Sequence, residues 1–199
     1  MIDQAEFEEL YRATAPELFG YLRRRGVPDA EDVVAEIFAT AWRRRRDLPK
    51  PLLRRAWLFG VARNLMLAQA RAAGRASEVV EQLAATAAAE VAVEDAENVA
   101  LQEVMAAALA RLSAREREIL TLVEWERLTP LEAAVVLDLR VGAARVRLHR
   151  ARRAMAADPA VQALVGRRVD EGASVGTEGG VPNPGTRVAL VVTGEPISD

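Results

Sequence analysis

Apolar side chains recur at three- and four-residue steps over most of residues 7–157, the spacing of helices that bury one face. From Phe7 to about Arg75 this rhythm breaks twice, at Gly26-Val27-Pro28 and at Leu48-Pro49-Lys50-Pro51, where proline removes a backbone donor and restricts the residue before it. About three helices are predicted there. In the middle one, Val33, Val34, Ile37, Phe38, Ala41 and Trp42 form one apolar stripe and Asp32, Ala35, Glu36 and Ala39 face away from it. Asp29 is the expected cap, Glu31 and Asp32 stand in the first turn, and Arg43 to Arg46 close the helix, so both ends complement its dipole. The third helix, roughly Leu53 to Arg75, interleaves Trp57, Leu58, Val61, Leu65 and Leu67 with Arg54, Arg55, Arg63, Asn64 and Arg71, which predicts a buried side and a basic side.

The next stretch, 76–98, is acidic and rich in alanine with few large apolar residues, so it is read as a linker between a domain at 5–75 and a second at 99–157. In the second domain Ser113 and Glu116 have the spacing of a capping box before Ile119, Leu120, Leu122 and Val123. Thr129-Pro130-Leu131-Glu132 repeats that start signal for a short helix to about Leu137. After a turn near Asp138 to Arg140, the last helix places Val141, Ala144, Leu148, Ala151 and Met155 on one inward face. Two helices joined by a tight turn, the second basic, predict a helix-turn-helix. Residues 158–199 are read as a poorly ordered tail, strand-like only at Arg187 to Thr193.

Composition agrees with an all-α chain of two small helical domains, because alanine dominates the apolar residues and aromatics are only 5%. The absence of cysteine removes disulfides and thiolate chemistry and fits a reducing cytoplasm, and a single histidine leaves little for a metal. No apolar run approaches a membrane span, and no cofactor or metal is expected. The net charge of −2 conceals strong segregation. Between Ala76 and Ala110 stand Glu78, Glu81, Glu90, Glu94, Asp95, Glu97 and Glu103 with no base. Between Leu139 and Ala157 stand Arg140, Arg145, Arg147, Arg150, Arg152 and Arg153 with no acid, the one-sided charge that phosphate neutralisation requires.

On the last helix, the inward stripe turns Val146, His149, Arg150 and Arg153 outward, flanked by Arg145, Arg147 and Arg152. Such a helix fits the major groove, where arginine can bond a guanine edge or hold a phosphate. The alternative, a solvated basic helix on an ordinary bundle, is disfavoured by the capped short helix before it. His149 has no ligand partner at metal spacing. The carboxylate pairs Asp32 with Glu36 and Glu116 with Glu118 are expected on helix surfaces, with no nucleophile or glycine-rich loop nearby, so no enzymatic role is expected. Spacing alone makes Asn64 an exposed structural residue.

Two stretches together resemble the sigma-70 family, in its short extracytoplasmic-function group. They are PDAEDVVAEIFATAW (Pro28 to Trp42) followed by RAWLFGVARNLMLAQAR (Arg55 to Arg71), and the segment Ala110 to Met155 that contains VGAARVRLHRAR. The resemblance implies a promoter-specificity subunit that is not an enzyme. Asp32, Ala35 and Glu36 would meet the β′ clamp helices of core RNA polymerase, and the second domain its β flap. Trp57, Arg63 and Asn64 would lie on the helix that opens and reads the minus-ten element, with Asn64 on a flipped-out base. Arg145, Val146, Arg147, His149, Arg150 and Arg153 would lie on the helix that reads the minus-thirty-five element. An anti-sigma partner is a further implication. Ala35 departs from the family's usual Gln, Val146 from a common Ser, and Asp138 from a frequent Gly. The competing expectation is a stand-alone helix-turn-helix regulator, which would bind DNA without polymerase.

Overall fold

The computed structural model describes residues 2–72, 74 and 96–164, the side chains of 96–101 excepted. Most of the proposed linker and the strand-like stretch at 187–193 lie outside the described residues. Among those described, the fold is helical and contains no strand.

Helices α1 (Gln4–Arg23), α2 (Ala30–Arg43) and α3 (Pro51–Ala72) pack against one another. Asp3 caps α1 by accepting the Glu6 N–H at 2.9 Å. The apolar stripe of α2 is buried at Val33, Val34, Ile37, Phe38 and Ala41 over Leu18, Tyr21 and Leu22 of α1. Trp42 departs from the expected stripe: it is 40% exposed, edge-on to Phe7, with Arg45 over its ring. The cap at Asp29 is also corrected. Its backbone starts α2, since its carbonyl accepts from Val33, but its side chain makes no capping bond. Only Arg43 stands in the last turn of α2, with the chain turning at Arg44 to Arg46.

Helix α4 (Ala96–Arg111) contributes Met105, Ala108 and Leu109 to the core. Helix α5 (Ala114–Glu124) begins with the Ser113–Glu116 capping box, and α6 (Pro130–Val136) with the Thr129–Glu132 box and Pro130 in its first turn, both as the spacing predicts. At the end of α6, Leu139 N–H closes on the Ala134 carbonyl at 2.8 Å while Asp138 takes a left-handed φ of 52°. Glycine is the usual solution at such a position; Asp is tolerated there better than most residues because of its short polar side chain. Helix α7 (Val141–Ala156) then lies across α5 and α6, with Ala144, Leu148, Ala151 and Met155 buried.

The packed chain runs past the proposed boundary at Ala157, as far as Leu164. Asp158 is buried and its carboxylate accepts from the Ala160 and Val161 N–H groups, starting a further helical segment at 159–164 that buries Val161. Burial alone would push the Asp158 carboxyl up. The Arg111 guanidinium, 2.5 Å away, and those two N–H groups outweigh it and hold the group below the ordinary carboxylate range.

Helices α3 and α6 are also in extensive contact, so the two helical groups share one continuous core.

Candidate nucleic-acid and polymerase surfaces

The outward face of α7 is formed as the sequence predicts. Arg145, Val146, His149, Arg150 and Arg153 are exposed and Arg147 is half-buried. None of these five polar side chains has a hydrogen-bond or ion-pair partner among the described residues, so their full donor capacity faces outward. Arg152 is the exception among the flanking arginines: its Nε and Nη2 both donate to Glu124, at 3.1 and 2.8 Å, tying α7 to α5. It braces the helix-turn-helix against α5 and is not part of its open face.

On α2, Asp32, Ala35 and Glu36 are exposed together. Two acids one turn apart on either side of an alanine make an anionic surface with a low centre, open to a basic partner.

Helix α3 is different. Asn64 is exposed, but Trp57 is half-buried and packed on the core, and Arg63 is engaged. Its Nε donates to Glu118 Oε1 at 2.6 Å and its Nη2 to Oε2 at 3.2 Å, a bidentate pair across 55 residues of sequence. Burial disfavours the charged form of Arg63. The hydrogen bond and charge of Glu118 overcome that and raise its pKa above the usual arginine value. Glu118 is therefore a correction: expected on a helix surface beside Glu116, it is buried on α5.

A second cluster, not anticipated from the sequence, joins the same two helical groups. The Glu126 carboxylate accepts from Arg24 and, at 3.1 Å, from Arg25. Arg25 and Glu126 side chains are each only 3% exposed. Arg25 also donates to the Tyr21 carbonyl and lies 3.7 Å from the Tyr21 ring centre. Arg55 donates to the Glu126 carbonyl at 2.7 Å and to Glu17 at 2.7 Å, and its third nitrogen is 3.7 Å from Glu132. Beneath this cluster Tyr21 is fully buried, and desolvation pushes its hydroxyl up to about 12. The cluster's only sequence trace is a run of three arginines before the Gly26 break, of which Arg24 and Arg25 are used, and an acid after α5, because the carboxylate that pairs them lies about 100 residues away.

Among the described residues no group of His, Asp and Glu has the arrangement of a metal site, and no helix is long and apolar enough to cross a membrane. An exposed basic reading helix, an exposed acidic α2 and a basic α3 occur in one chain, and two family matches fall on them in the same order. Sigma-70 region 2 matches residues 10–76 and Sigma-70 region 4 matches residues 102–155. The chain is also 35% identical over 159 residues to the ECF RNA polymerase sigma factor SigL of Mycobacterium tuberculosis, covering 77% of this chain and 88% of that protein. The chain belongs to the sigma-70 family, in its extracytoplasmic-function group.

The fold agrees. The sigma factor superposes with a TM-score of 0.53 on RpoE of Bartonella quintana, crystallised in complex with the anti-sigma factor NepR. That match has 24% identity and covers 75% of this sigma factor and 94% of the other chain. Membership in the family makes the protein a factor that directs transcription initiation. The match to region 2 sets aside the stand-alone regulator, whose expectation rested on the helix-turn-helix alone.

Proposed function

We propose that this sigma factor holds core RNA polymerase through Asp32, Ala35 and Glu36 of α2 on the β′ clamp helices, with the region 4 domain on the β flap. In this reading α7 enters the major groove of the minus-thirty-five element, and Asn64, Arg63 and Trp57 on α3 serve the unpaired minus-ten strand. The protein works in the cytoplasm as a binding subunit without catalytic chemistry of its own. An anti-sigma factor is a proposed partner, supported by the fold shared with a sigma factor that was crystallised with one.

The observation that carries this reading is the α7 face. Four arginines and a histidine without hydrogen-bond or ion-pair partners among the described residues stand on the second helix of a helix-turn-helix whose first helix opens with a capping box, positioned by a buried alanine- and leucine-lined underside. Such a face supplies phosphate neutralisation and guanine readout at once. Polymerase joins two modest DNA contacts into one bivalent grip, so the holoenzyme binds promoters far better than the free factor.

Run-off transcription with core polymerase on a promoter library tests it. Arg150→Ala is expected to lower use of the selected promoters by about 5- to 150-fold, the range for one specific base contact, with the loss confined to the minus-thirty-five element. Asn64→Ala is expected to leave promoter binding intact and slow strand opening. Wild-type behaviour of both variants overturns the site assignment, and tight promoter binding without polymerase overturns the role of the enzyme.

A further inference from the structure

Val146 stands out on the proposed reading face. It is 53% exposed, whereas every other large side chain turned outward around it, Arg145, His149, Arg150 and Arg153, is cationic or polar. A single exposed valine needs no explanation on most surfaces. On this one, its place between two arginines in sequence and one turn before His149 and Arg150 puts it on the centre line of the helix face offered to DNA.

Valine has no hydrogen-bonding group and cannot read a guanine, adenine or cytosine edge. Its χ1 is nearly fixed in a helix, so it presents two methyl groups at one position without an ordering cost. The only apolar feature in the major groove is the C5 methyl of thymine. We infer that Val146 is a specificity-determining residue that selects thymine at one position of the upstream element by contact with that methyl. A polar base edge pressed against the same side chain loses water and gains no partner, so the residue also rejects competitors.

This inference rests on the reading of α7 as the upstream-element helix, and the test separates the two. The full-length factor with core polymerase first selects promoters from a library. Each thymine of the selected upstream element is then replaced by deoxyuridine, which removes the C5 methyl and nothing else. With the wild-type factor, one position is expected to lose about fourfold in promoter use, the worth of one buried methyl at about 0.8 kcal/mol. With Val146→Ala, thymine and deoxyuridine are expected to be equivalent at that position. Methylating C5 of a cytosine placed there is expected to restore about the same factor to the wild type alone. A library that yields no promoter overturns the α7 reading together with this one. Promoters that lack a preferred thymine, that ignore deoxyuridine, or that respond to it equally with Val146→Ala overturn the role of Val146 alone.

Discussion

Arg55 and Arg63 of α3 and the outward arginines of α7 have the same chemistry and opposite fates. Arg55 and Arg63 on α3 are both satisfied by groups from the region 4 half: the Glu126 carbonyl, Glu132 and Glu118. On α7, only Arg152 is paired, and Arg145, Arg147, Arg150 and Arg153 have no partner among the described residues. A basic cluster is thus not one kind of object. Where acids from elsewhere in the chain reach it, it becomes an internal joint. Where none do, it remains a surface for an external anion. In the proposed reading both helices serve promoter DNA, so the upstream reader stands ready in this arrangement while Arg63 of the minus-ten reader is occupied.

The largest expected effect comes from removing the acid at the joint. Glu126→Ala leaves Arg25 buried without its carboxylate, and breaking one side of a buried pair costs about 3–5 kcal/mol. Denaturant unfolding measures it, and a loss below about 1 kcal/mol would show that water already reaches the cluster. Next comes the dryness of the same side. Tyr21 ionises near 10 in the unfolded chain and at about 12 when folded, so its contribution is complete below pH 10 and disappears as pH rises through 12. Roughly 2–3 kcal/mol of stability is expected to vanish across that window. Tyr21→Phe should flatten the alkaline profile at no loss near neutrality, because the hydroxyl has no hydrogen-bond partner among the described residues.

Glu118→Gln is expected to weaken the joint by about 1.5–3 kcal/mol, the worth of a hydrogen bond to a charged group. It separates the two readers most directly. Fluorescence binding of the free factor to single-stranded minus-ten DNA should rise as Arg63 is released, and binding to upstream duplex should stay unchanged. An equal rise at both sites would mean that α7 is also restrained. The smallest effect is expected at Gly60, in the middle of α3, where an added Cβ would meet Val136 of α6 at 3.8 Å, an ordinary contact. Gly60→Ala is expected to stabilise the fold by about 0.5–1 kcal/mol in thermal unfolding, through the helix propensity of α3 alone.

What the sequence discloses follows the range of the interaction. Both capping boxes, the α2 stripe from Val33 to Ala41 and the outward set on α7 depend on residues within one or two turns and are found where the spacing puts them, with Trp42 at the end of the stripe the exception. The side-chain cap at Asp29 fails even so, because a ψ of 55° departs from the extended backbone that Asp3 and Thr129 use to cap. Glu118 was unreadable for a different reason: its charge marks it for the surface, and the guanidinium that permits its burial sits 55 residues earlier. The helical turn after α7 did have a local signature, Asp158 as cap and a proline next to it, which the reading of a loose tail passed over.

Arg63 holds both carboxylate oxygens of Glu118 with two arms of its guanidinium. A guanidinium meets a phosphate with the same two parallel hydrogen bonds it gives a carboxylate, so this side chain can trade one anion for another with little change of shape. A lysine in its place would grip either anion only as a point charge and would lose that matched handover. Departure from the acid and arrival at nucleic acid then become a single substitution, and the residue left needing water is the glutamate.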